Sequence, residues 1–152
     1  MLFPWQKPKT FFTEEQKQRI VQAVQQAERQ TSGEVRVYVE SKCRFVDALD
    51  RAAEIFFQLQ MDKTTLHNGV LVYVAVDDKQ VAVYADEGIH AKAGRQYWLG
   101  TVAAMLQHFR QEHVAEGICS AVLKIGEALV HHFPYDATTD KNELPDNIVF
   151  GK

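Results

Sequence analysis

The chain has 152 residues, 46% of them apolar and 24% charged, with a net charge of −3. That predicts a globular protein of one domain with its own core, too short for two ordinary ones. The acidic balance gives no basis for a nucleic-acid face, which needs clustered cations. No apolar run reaches the roughly 20 residues that span a bilayer.

Residues 1–12, with Pro4, Pro8 and several aromatics, read as an extended N-terminal arm laid on the surface. They lack a basic start followed by an apolar stretch, so no secretory signal is expected and the expected compartment is cytoplasmic. Cys43 and Cys119 are too few for a disulfide framework, which suits the same compartment.

The domain proper is expected over residues 13–134. Thr13-Glu14-Glu15-Gln16 matches a helix capping box, and Ile20, Val21, Val24 and Ala27 mark a buried helical face ending before Thr31-Ser32-Gly33. Val35, Val37 and Val39 alternate with polar residues over 34–40, which predicts strand one. Asp47 is placed to cap a second helix, whose Leu49, Ala52, Ala53, Phe56 and Leu59 recur at helical spacing up to about Met61.

Residues 68–89 organise the chain. Two apolar β-branched runs flank Asp77-Asp78-Lys79, which reads as a hairpin of buried strands. Strand, helix, strand is a βαβ unit, so strands one and two are expected parallel and strand three antiparallel to strand two. Beyond Gly88 two helical stripes follow, Trp98-Val102-Met105-Phe109 and Ile118-Val122-Ile125-Leu129, stopped by Phe133-Pro134. Residues 135–152 read as a polar tail in which only Asn142-Glu143-Leu144-Pro145 packs. Helices in excess of a small, two-sided mixed sheet predict a three-layer α/β/α sandwich.

This topology brings three polar segments to one sheet rim: Thr31–Glu34, Leu66–Gly69 and Asp86–Gly88. Adjacent strands lie about 4.8 Å apart, so the three ends span roughly 10 Å, the width of one small ion. The carboxylates of Glu34, Asp86 and Glu87 and the amide of Asn68 are hard oxygen donors, suited to calcium or magnesium. His67 adds an imidazole that tilts the choice toward manganese or zinc. Gly69 and Gly88 would let backbone approach a ligand. The competing reading is that Asn, Asp and Gly gather wherever strands end in turns.

Thr31-Ser32-Gly33-Glu34-Val35-Arg36-Val37, His67-Asn68-Gly69-Val70-Leu71 and Asp86-Glu87-Gly88-Ile89, in that order, resemble the TPM domain family. Trp98, Phe109, Gly117-Ile118 and Phe133-Pro134 are similar to its short bacterial branch, so the resemblance spans residues 12 to about 146. It implies a three-layer α/β/α domain, often membrane-anchored or exported, with divalent metal binding in several members. One plant thylakoid relative is described as an acid phosphatase, and most members have no settled activity. The implied site is Asp86 with Asn68 and the adjoining Glu34 and Glu87 segments. The chain departs from the pattern at His67, where the family usually has arginine, and at Asp86-Glu87-Gly88, where many relatives carry Gly-x-Gly. The membrane anchor has no counterpart in this sequence.

Other chemistry-bearing patterns are absent: no Gly-x-Ser-x-Gly elbow, no phosphate-binding Gly-Lys-Ser/Thr loop, and no cysteine followed six positions later by arginine. Cys43 lies beside Lys42 and Arg44, which would activate a thiol, although an inert cysteine is the commoner case. Two functions follow as expectations. The first is a non-catalytic interaction or regulatory module that binds calcium or magnesium at the rim and contacts an unidentified protein partner. The alternative is a metal-assisted phosphohydrolase in which Glu34 or Glu87 moves protons. With no nucleophile and no arginine at the rim, little would stabilise a transition state, which favours the first.

Overall fold

The computed structural model describes residues 11–135 and 148–151. The element order is α1 (Glu14–Glu28), β1 (Glu34–Glu40), α2 (Ala48–Gln58), a 3-10 turn (Met61–Lys63), β2 (Gly69–Ala75), β3 (Gln80–Ala85), α3 (Glu87–Ala93), α4 (Arg95–Arg110), α5 (Val114–His132) and β4 (Val149–Phe150). The sheet order is β3-β2-β1-β4; β1 runs parallel to β2 and β4, and β3 runs antiparallel to β2. This is the expected mixed sheet, enlarged by β4.

The strand alternation sorts the two layers. Val35, Val37 and Val39 of β1, Val70, Val72 and Val74 of β2, and Val81 and Val83 of β3 face a core built with α1, α4 and α5. Leu71, Tyr73, Ala75 and Ala82 turn the other way, onto Ala52, Ile55 and Phe56 of α2 and onto Met61. Every residue of β2 is therefore buried, and the three-layer α/β/α arrangement stands. The capping box at Thr13 and Gln16 forms as its sequence dictates, with both reciprocal bonds made. Asp47 caps α2 by accepting the Asp50 amide at 2.9 Å.

Four features differ from the sequence reading. The helical stretch after strand three is broken at Gly94, whose φ of 86° lies in the left-handed region where glycine is free of a Cβ clash. Three helices therefore stand where the two apolar stripes predicted two. Asp86-Glu87-Gly88 is not a loop: Asp86 is the N-cap of α3 and Glu87 its first residue. The tail supplies β4, and Phe150 stacks on Phe11 with ring centroids 6.3 Å apart. Phe12 is itself in the core, so the described end of the arm is packed rather than laid on the surface. The expected packing of residues 142–145 lies outside the described residues.

The far end of the sheet is held by a buried carboxylate. Glu40, at the end of β1, is 5% exposed. Arg51 of α2 donates to both its oxygens, from Nε at 2.9 Å and from Nη2 at 3.0 Å. The Tyr73 hydroxyl donates to Glu40 as well. Burial first, and then Glu40, push the Tyr73 hydroxyl above the ordinary phenol range, so it stays a proton donor.

Candidate functional site

The strand register assembles the rim. Glu34 pairs with Gly69 and Val70 with Ala85, so the residues flanking these pairs lie at one edge. The Glu34 amide donates to the Asn68 carbonyl at 3.3 Å and the Asp86 amide to the Gly69 carbonyl at 2.9 Å, which ties all three segments together. On the α5 side the Thr31 hydroxyl donates to the Leu129 carbonyl at 3.0 Å and bonds the Phe133 carbonyl, fixing the 31–33 turn against the end of that helix. The expected convergence of Glu34, Asn68 and Asp86 is present.

Their side chains are engaged mostly with the protein. Asp86 caps α3 by accepting the Glu87 amide at 2.8 Å, and its other carboxylate oxygen lies 3.2 Å from His67 Nδ1. The Asn68 side-chain amide donates to the Ser32 hydroxyl at 3.3 Å. Glu34, Asn68 and Asp86 are buried, whereas His67 and Glu87 are exposed. Among the described residues no three His, Cys, Asp or Glu side chains come together around a position one metal ion could take. The glycines serve the fold as well. A Cβ on Gly88 would lie 2.3 Å from the Leu66 carbonyl oxygen and 2.6 Å from that of His67, so Gly88 admits the chain's own backbone rather than a ligand. His67 adopts φ 51° and its carbonyl accepts the Ile89 amide at 3.2 Å, fixing the loop over the start of α3.

What the sequence did not reveal is that this rim opens into a groove. A cavity of about 700 Å³ runs from Asp62, His67, Asp86 and Glu87 along β3, between Leu49 and Phe57 of α2 and Trp98, Leu99 and Val102 of α4. Leu49, Phe57 and Leu99 are each about half exposed. Tyr84 also lines the groove, and its hydroxyl is held above the ordinary phenol value by burial and then by the negative charges of Asp86 and Glu87. Trp98 both packs in the core and lines the groove. The groove had one sequence signal, the apolar Phe57 and Leu99 outside the helical core stripes; Leu49, read as part of the α2 stripe, is instead half exposed and turned to the groove. A second depression, of about 770 Å³, is lined by charges of both signs, among which Arg51 pairs with Glu40 and Glu54.

The remaining candidates are structural. Cys43 is buried, its amide donating to Asp78 at 2.8 Å and its thiol lying 3.3 Å from the Val46 carbonyl. Asp77 and Asp78 sit in the β2–β3 turn, at the end of the sheet opposite the rim. His132, at the C-terminal end of α5, is held below the ordinary imidazole value by desolvation, then by His131 and Lys92, which oppose the helix-dipole effect expected there.

Comparison with known proteins agrees with the fold. A model of the TPM domain matches residues 6–128. The chain belongs to the TPM domain family. Among solved structures, this TPM protein is 40% identical to the BA42 protein of the psychrophilic bacterium Bizionia argentinensis, with a TM-score of 0.86 over 95% of this chain and 99% of that one. It shares its fold with the N-terminal domain of a P. gingivalis protein, at 18% identity and TM-score 0.68, covering 82% of each chain. The N-terminal domain of a Corynebacterium glutamicum protein is similar in fold at 12% identity and TM-score 0.58, covering 81% of this chain and 84% of that one. No functionally curated protein matches. Among the described residues no helix of this TPM protein is long and apolar enough to cross a membrane.

Proposed function

We propose that this TPM domain is a non-catalytic interaction module whose working surface is the acidic rim together with the groove beside β3. The observation that carries this reading is continuity: Asp86, Glu87 and His67 border the same cavity as the half-exposed Leu49, Phe57 and Leu99. Apolar walls with a few polar groups at one end are the composition of a recognition site. A catalytic site would instead need a positioned nucleophile or base within reach of a reacting atom. Here Asp86, one of the two buried acids of the rim, is committed to capping α3 and to His67.

A calcium, magnesium or manganese ion at the rim is the second reading. It is favoured by the meeting of Asp86, Asn68 and Glu34 at one edge, and it requires Asp86 to exchange His67 for the ion. The phosphohydrolase alternative would have to run through the same carboxylates. All are tested with one variant, Asp86→Asn, which keeps a good capping side chain and removes the charge. A panel of phosphate esters with each of the three ions should show no turnover that Asp86→Asn abolishes; such turnover would end the non-catalytic reading. Calorimetric titration with the ions decides the metal separately, because heat from the rim must disappear in Asp86→Asn.

A further inference from the structure

We propose that the groove takes an extended peptide as an added strand on β3, with a lysine or arginine of the peptide held at the acidic rim. This rests on the interaction-module reading and names its partner class. The ladder settles which backbone groups are on offer. Because the Asp86 amide donates to the Gly69 carbonyl, the hydrogen-bonded pairs of the β2–β3 ladder are 86/69, 84/71, 82/73 and 80/75. Val81, Val83 and Ala85 therefore turn their N–H and C=O groups away from β2. Among the described residues β3 is the outer strand of the sheet, so no strand there receives them.

An outer strand of this kind is usually protected by lysine, proline or an inward-pointing charge. The run Val81-Ala82-Val83-Tyr84-Ala85 has none of these. Instead it forms the floor of a groove with two apolar walls, Leu49 and Phe57 on one side and Trp98, Leu99 and Val102 on the other. A strand laid beside β3 would send alternate side chains into each wall, so its middle must be apolar on both faces.

Charge selects the end. Asp62, Asp86 and Glu87 border the groove against Arg95 alone among the fixed cations, and the acidic groups gather where β3 ends. In the antiparallel orientation, the more stable pairing, the N-terminal end of the peptide lies at this acidic end. A lysine or arginine first in the segment then meets Asp86 and Glu87.

The test uses the full chain and pentapeptide amides with lysine first and four residues drawn from valine, leucine, alanine and threonine. The expected result is saturable binding, with the largest amide shifts and new exchange protection at Val81, Val83 and Ala85. Glutamate in place of the first lysine, N-methylation of the pairing residues, and Leu99→Glu in the exposed wall should each weaken binding about tenfold or more. Three results overturn the proposal: no peptide binding tighter than about 1 mM, binding indifferent to N-methylation, or a dimer in which β3 of one copy is protected by another. Each leaves the non-catalytic reading standing, since only Asp86-dependent turnover removes that.

Discussion

A buried carboxylate is where chemistry is usually sought, so Glu40 provides a sharp test of the division between staple and site. Arg51→Met keeps most of the apolar stem and removes the guanidinium, leaving Glu40, whose side chain is 6% exposed, with only the Tyr73 hydroxyl. Breaking a fully buried ion pair costs about 3–5 kcal/mol. The Arg51 side chain is 24% exposed, so water shares in solvating the pair, and the expected loss is nearer about 2–3 kcal/mol. For a chain of this length that is a fall in Tm of roughly 6–9 °C, readable in thermal and urea unfolding followed by circular dichroism. Removing all three partners, in Glu40→Leu with Arg51→Met and Tyr73→Phe, should recover stability to within about 1 kcal/mol of the parent, because no buried charge is then left alone. Groove binding should be unchanged in both. If Arg51→Met melts like the parent, the network does not hold the sheet and the buried carboxylate needs another explanation. A triple variant as unstable as Arg51→Met alone would equally refute the reasoning.

Gly88→Ala should lower stability by about 1–3 kcal/mol, since its Cβ would meet two backbone oxygens that cannot swing aside; a melt equal to the parent would show that the 66–67 loop yields freely. Burial pushes the Cys119 thiol up, with Arg19 only partly offsetting it, so its thiolate forms at higher pH in the folded chain than in the unfolded one. Iodoacetamide at pH 8 should therefore alkylate Cys119 more slowly in buffer than in urea, and equal rates in the two would contradict that order.

The elements that announced themselves were those whose local chemistry and burial agree. The capping box at Thr13, the valine alternation of β1 and the two-sided apolar run of β2 each specify both a conformation and a buried face, so α1, β1, the hairpin and the sandwich were legible. The convergence of Glu34, Asn68 and Asp86 was legible too, because strand direction alone dictates it. The orientation of those side chains was not. Asp86 caps a helix whose start depends on the 66–67 loop passing over Gly88, an approach made by residues some twenty positions apart.

The break at Gly94 escaped because an apolar stripe carries no information about where a helix axis turns. β4 escaped because a two-residue strand has no periodicity, and its place beside β1 follows from Tyr38–Val149 pairing across the length of the chain. The groove is the clearest case of all. Leu49, Phe57 and Leu99 are ordinary exposed apolar residues along the sequence. They become walls only because α2 and α4 lie on opposite faces of the sheet and both reach past its outer strand. Sequence determined the layers and which rim is acidic. Packing of distant helices around a strand unpaired on its outer edge decided that this rim adjoins a groove, since burial patterns record what a residue is hidden from, and not what stands beside it.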